Sequence, residues 1–160
     1  MRNLAPNAPR GIPEGEFEKI HLACRHRDVE RVRTLLSAGV NVDVTNPVLP
    51  NGDGGNTPLW FAAQGSSSGG LEVASVLVDH GANINQRCEH GSTAAHLACS
   101  WGHEDLLRLL VQAGADLTIE DDDGMTPETV ARKGYNWQLN KVSDKQRTGV
   151  IRFFDELGGG

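Results

Sequence analysis

The chain has 160 residues, enough for one domain with a continuous core, and its 38% hydrophobic content includes only 5% aromatic residues. Such a core is built from Ala, Leu, Val and Ile, as in stacked helices rather than an aromatic-rich barrel. The formal net charge of −6 argues against a general nucleic-acid binder, which needs a basic footprint, and permits a partner with a basic patch.

Residues 1–15 carry charge and three prolines but no apolar stretch of about 7–15 residues, so they read as a flexible extension rather than a secretory signal. No run of about 18 apolar residues follows, and no membrane partner is expected. Three cysteines cannot all pair within one chain and lack framework spacing, which points to reduced thiols in the cytoplasm.

From residue 16 onward the chain repeats itself. Ile20-His21-Leu22-Ala23-Cys24 is the first copy of a tag. It returns as Gly55-Asn56-Thr57-Pro58-Leu59-Trp60-Phe61-Ala62-Ala63, then as Gly91-Ser92-Thr93-Ala94-Ala95-His96-Leu97-Ala98-Cys99. A last copy is Gly124-Met125-Thr126-Pro127-Glu128-Thr129-Val130-Ala131-Arg132. Thr93 and Thr126 lie 33 residues apart, Thr57 and Thr93 lie 36 apart, and His21 and Trp60 lie 39 apart. A second tag keeps the same register: Ala38-Gly39-Val40-Asn41, Gly81-Ala82-Asn83-Ile84-Asn85 and Gly114-Ala115-Asp116-Leu117.

Thr57-Pro58 and Thr126-Pro127 predict helix starts, with Thr at the cap and Pro in the first turn. Ala62-Ala63, Ala98-Cys99 and Ala23-Cys24 are small enough for neighbouring helices to pack closely. Apolar spacing of three and four marks a second helix in each unit: Val29, Val32, Leu35 and Leu36; Val73, Val76 and Leu77; Leu106, Leu107, Leu109 and Leu110. Gly39, Gly81 and Gly114 follow these runs as left-handed terminators.

The excess over 33 residues falls in two places. Val44–Gly55, with two prolines, predicts a long first finger, and Gln64–Gly70 predicts a flexible bulge between the helices of the second unit. In the last unit the second helix is expected only at Val150-Ile151-Arg152-Phe153-Phe154. The intervening residues, Trp137, Gln138 and Leu139 among them, form a modified cap that Phe153 and Phe154 close. Gly158-Gly159-Gly160 reads as a frayed tail.

These tags resemble the ankyrin-repeat family, whose unit is a β-turn followed by two antiparallel helices with a T-P-L-H-x-A signature. The resemblance implies an all-α ankyrin-repeat solenoid of about four stacked units with degenerate terminal caps. It covers residues 16–157, divided into repeats at approximately 16–46, 52–87, 88–120 and 121–157. It also implies that the histidine of the tag ties neighbouring turns together by hydrogen bonds.

The candidates for chemistry fall to this register. His21 and His96 are equivalent positions two repeats apart, roughly 20 Å at a helix spacing of about 8–10 Å, and cannot share a metal ion. Cys24 and Cys99 are likewise too far apart for a disulfide. Glu120-Asp121-Asp122-Asp123-Gly124 lacks the alternating ligands and distal Glu of a calcium loop. Asn51-Gly52-Asp53-Gly54-Gly55 lacks the Lys and Ser/Thr of a phosphate loop. No catalytic residue, cofactor or metal is assigned, and an enzyme is not expected.

What remains is binding. In the family the partner meets the concave side, and carrying that over gives Arg25 and His26 from repeat one, with Asp53, Asn56 and Gln64 from repeat two. Repeat three offers Arg87, Glu89, His90, Ser92, Ser100 and Trp101. Repeat four offers Glu120, Asp122, Asp123, Met125 and Lys133. Trp101 is the leading anchor, because an exposed Trp buries a large area with few rotamers lost. The cations Arg25, His26, Arg27, Arg31 and Arg33 and the acids Glu120–Asp123 give the stack a charge polarity. By analogy of fold, the expected role is an adaptor or regulatory module that is monomeric alone. The alternative is an inhibitor or immunity protein that occludes a partner enzyme or toxin.

Overall fold

The computed structural model describes residues 16–47, 54–65, 70–134 and 142–159. Residues 1–15, the tip of the long first finger, most of the bulge in repeat two, residues 135–141 and Gly160 lie outside them. Within the described residues the chain forms eight α-helices and no strand: α1 (Glu16–Arg25), α2 (Val29–Ser37), α3 (Pro58–Ala63), α4 (Gly70–Asp79), α5 (Ala94–Trp101), α6 (Glu104–Gln112), α7 (Pro127–Lys133) and α8 (Asp144–Gly158).

The local signals act as their chemistry dictates. Thr57 and Thr126 each cap a helix, their hydroxyls accepting from the Trp60 and Thr129 amides at 3.3 Å, with Pro58 and Pro127 in the first turn. Thr93 shares its cap with His96, whose Nδ1 accepts from the Thr93 amide at 3.1 Å.

The helices form two layers. Inner helices pack in chain order, α1 on α3, α3 on α5 and α5 on α7, while α2, α4, α6 and α8 form the outer layer. Ala62, Ala63, Ala98, Cys99 and Ala131 are almost wholly buried, letting the inner helices approach closely. Val32, Leu35, Val73, Leu77, Leu107 and Leu110 fill the space between layers, so each pair of helices buries its apolar face on the next.

The last outer helix is longer than its sequence pattern predicts. α8 begins at Asp144, six residues before the apolar run, behind a capping box of Ser143 and Gln146. Its first turn is polar and exposed at Asp144, Lys145 and Arg147, so it shows no apolar period. The helix also runs through Gly158, one residue into the expected tail.

Gly149 lets α8 approach α6: a Cβ there would lie 2.5 Å from Glu104 Oε2. Val150, Phe153 and Phe154 are buried, the two rings meeting edge-on at 5.4 Å. Ion pairs rim this contact. Arg108 reaches Glu104 and Glu156 at 2.8 Å each and lies over the Phe153 ring at 5.0 Å, while Arg132 meets Asp155 at 2.7 Å. The Arg108 hydrogen bond holds the Glu104 carboxyl below the usual carboxylate range.

Candidate interaction surface

Side chains at one position of the tag bond to the fingers. His21 Nε2 meets the Val44 carbonyl at 2.8 Å, and His96 Nε2 meets that of Met125 at 2.9 Å. Because His96 Nδ1 accepts an amide proton, its Nε2 carries the hydrogen and donates. In repeat two Trp60 stands at this position, and its indole Nε1–H donates to Ser92 Oγ at 3.1 Å. Trp60 and His96 thus tie their repeats to the next one with two side-chain types, while His21 bonds to the finger that ends its own repeat.

A second line of bonds runs through the turns. Asp43 accepts from the Asn83 amide at 2.8 Å, and Asn85 accepts from the Asp116 amide at 2.8 Å while donating to Gly114 at 3.1 Å. Asn56 and Glu89 bond reciprocally: the Glu89 amide donates to Asn56 Oδ1 at 2.9 Å, and Asn56 Nδ2 donates to Glu89 Oε2 at 3.0 Å.

Three expected surface positions are buried instead. Asn56 is 3% exposed, Met125 7% and Ser100 8%. Asn56 and Met125 share one register position, immediately before the helix-capping Thr. Ser92 occupies it in repeat three and is half-buried, its hydroxyl donating to the Glu89 carbonyl at 2.7 Å. This position points under the finger, not out from its tip.

Other expected residues lie at the surface. Arg25, His26, Arg87, His90, Glu120, Asp122, Asp123 and Lys133 are exposed, while Gln64, Glu89 and Trp101 are half-buried; Asp53 lies outside the described residues. Arg87 and Asp122 pair at 3.0 Å across adjacent fingers. The acidic run divides its roles: Asp121 accepts from the Asp123 and Met125 amides at 3.0 and 2.9 Å and shapes the turn, leaving its exposed neighbours to set the charge of the tip.

Cys24 and Cys99 are buried and Cys88 is half-buried. Burial pushes the Cys24 thiol up to about 12 and raises those of Cys88 and Cys99, so all three stay protonated near neutrality. Among the described residues, no group of three or more His, Cys, Asp or Glu is placed to hold a metal ion, and no helix is long and apolar enough to cross a membrane.

Two features at the opposite, turn edge of the stack are not predicted by the repeat pattern. Arg27 stands where repeat three has the left-handed helix-ending Gly102, and itself adopts φ 62°. Its guanidinium donates to the carbonyls of Cys24 at 3.0 Å, Phe61 at 3.2 Å and Gln64. His103 Nε2 contacts the Gly65 carbonyl from the other side. The register carries a signal here, since repeat three has a left-handed glycine where repeat one has this arginine. Nearby, a cleft of about 490 Å³ opens between the starts of α4, α6 and α8, lined by Leu71, His103, Glu104, Lys145 and Gln146.

The architecture is therefore a solenoid of turn–helix–helix units joined finger to finger. Residues 20–133 match the family model for ankyrin repeats in three copies, and the chain belongs to the ankyrin-repeat family. It is 34% identical over 133 residues to an inactive serine/threonine-protein kinase of Bos taurus, covering 83% of this chain and 8% of that protein. It is 43% identical over 75 residues to an ankyrin repeat-containing protein of Schizosaccharomyces pombe, covering 47% and 35%. It is also 36% identical over 104 residues to protein phosphatase 1 regulatory subunit 27 of Mus musculus, covering 64% and 62%. The chain thus spans only a small part of the first relative and about a third of the second.

Proposed function

We propose that the chain is a non-catalytic interaction module. It holds a protein partner on the surface formed by its fingertips and the exposed ends of its inner helices. The observation that carries this reading is the division of labour at the fingers. His21, Trp60, His96, Asn56 and Asp121 are committed to joining or shaping the repeats. Arg87, His90, Glu120, Asp122 and Asp123 stand exposed on the same fingers, with Trp101 half-buried on α5. A rigid row of mixed charge beside an aromatic anchor suits protein recognition. One relative is by name a regulatory subunit of a phosphatase, which supports a regulatory role and favours, as a second reading, inhibition of a partner enzyme. The module acts inside the cell as a monomer, in keeping with its free, protonated cysteines.

A photo-crosslinking amino acid placed at His90 or Asp123 is expected to capture a partner that the same group at Arg33, on α2, does not. Trp101→Ala is expected to weaken that capture. Equal capture from all three positions would refute the surface assignment. Addition of the chain to the captured partner then separates the roles, since an adaptor leaves any activity of the partner intact and an inhibitor abolishes it.

A further inference from the structure

Among the described residues, two other than glycine take a left-handed backbone, Arg27 at φ 62° and His90 at φ 56°. That conformation strains any residue carrying a Cβ. It persists only where the surroundings fix it, commonly at sites of contact with a ligand. For Arg27 the return lies inside the molecule, since its guanidinium donates to the carbonyls of Cys24, Phe61 and Gln64. His90 has no such return. Its side chain is 80% exposed at the tip of the finger of repeat three, and the carboxylate it meets, Glu89 Oε1, lies 3.7 Å away, beyond hydrogen-bond distance.

The finger fixes the backbone of His90 whatever side chain stands there. The His90 carbonyl accepts from the Asp122 amide at 3.0 Å, and the amides of Gly91 and Ser92 donate to the carbonyls of Cys88 and Glu89 at 2.9 and 3.1 Å. On one side Glu89 is itself tied to Asn56. On the other, the Arg87–Asp122 ion pair crosses Gly91 so closely that a Cβ there would lie 2.4 Å from each side chain. A glycine at position 90 would take this backbone without strain, and the finger of repeat two has one at the equivalent place, Gly54 at φ 111°. In the finger of repeat four the equivalent residue is Asp123, which has no positive φ. Of these three fingers, that of repeat three is the one that holds out a side chain from a strained backbone.

We infer that His90 is a specificity-determining residue of the partner surface, its ring held out on a strained backbone for contact with the protein that the module binds. The inference rests on the surface proposed above and goes further, naming the fingertip side chain that is kept at the expense of the chain's own stability. An imidazole suits this role as a flat ring with two nitrogens that exchange hydrogen bonds. On a rigid tip it has little freedom left to lose on binding.

The test pairs the folding stability of the full chain with its binding. His90→Gly removes both strain and ring, whereas His90→Ala removes the ring alone. In urea unfolding, His90→Gly is expected to have a higher midpoint than the parent and than His90→Ala. The probe for binding is the protein crosslinked through the photoreactive group at Asp123, identified by mass spectrometry, purified and titrated against the labelled chain. Both variants should bind it about tenfold or more weakly than the parent, and Arg33→Ala should bind it as the parent does. A chain that folds more stably and binds worse is the signature of a residue held for contact. A lower midpoint in His90→Gly than in the parent would give the imidazole a structural role and overturn the inference. Unchanged affinity in His90→Gly, with capture at Asp123 intact, would overturn it as well. Absence of capture at Asp123 in the parent chain would instead refute the surface reading, and this inference with it.

Discussion

Arg27 offers a quantitative test of how repeat one is fastened to repeat two. Its guanidinium donates to Cys24, Phe61 and Gln64, the last two being carbonyls at the C-terminal end of α3. A hydrogen bond to a charged group contributes about 1.5–3 kcal/mol, and the partial exposure of Arg27 places each bond at the low end or below. Against this stands its φ of 62°, a left-handed conformation that costs a side-chain-bearing residue about 1–2 kcal/mol. Arg27→Ala removes the bonds and keeps the strain, so it should destabilise the chain by about 2–4 kcal/mol. Arg27→Gly removes both and should be milder by about 1 kcal/mol. Urea unfolding followed by circular dichroism measures the two variants against the parent chain. If the glycine variant were as stable as the parent, the clamp would have no net energetic role, and an alanine variant no worse than the glycine one would refute the backbone strain.

Three further outcomes are expected. Asn56→Ala leaves the Glu89 amide without its side-chain acceptor and should cost about 1–3 kcal/mol, with faster amide hydrogen exchange at Glu89 than in the parent. Phe153→Ala empties the contact of α8 with α6 and α7 and should cost about 3–5 kcal/mol, read as a lower urea midpoint. Burial lowers the pKa of His96 and of His103 below the ordinary value of 6.5. In both, the unfolded chain binds the proton first, so their stabilisation is full above pH 6.5 and declines as pH falls through their folded values. The urea midpoint should therefore drop between pH 7.5 and 5.5, and the drop should shrink in His96→Gln.

The repeat register alone locates the inner helices, the outer helices through α6 and the small residues between the inner helices, because period and packing there obey one rule in every unit. The linking role of the tag histidines comes from the family resemblance rather than from the register, which supplies only their separation. Sequence reading fails where a residue's environment comes from the neighbouring unit. Asn56 and Met125 resemble fingertip residues because they precede a capping threonine, yet the adjacent finger closes over that position. The start of α8 escapes notice for a different reason: an exposed helical turn of Asp144, Lys145 and Arg147 has no apolar period to read. Leu22 shows the converse, a residue apolar in pattern whose cover in other repeats is a preceding repeat's side chain.

The side-chain bonds between fingers give the stack a mechanical character. Each rung, from the Asp43–Asn83 bond to the His96–Met125 bond, ties a unit only to its immediate neighbour. A load that peels one end is therefore borne by a single rung at a time rather than shared along the molecule. The two ends are unequal, one latched by Arg27 and the other by α8 and its rim of ion pairs. Pulled from either terminus, the chain would come apart in steps of one repeat, and the order of those steps would report which latch is the weaker.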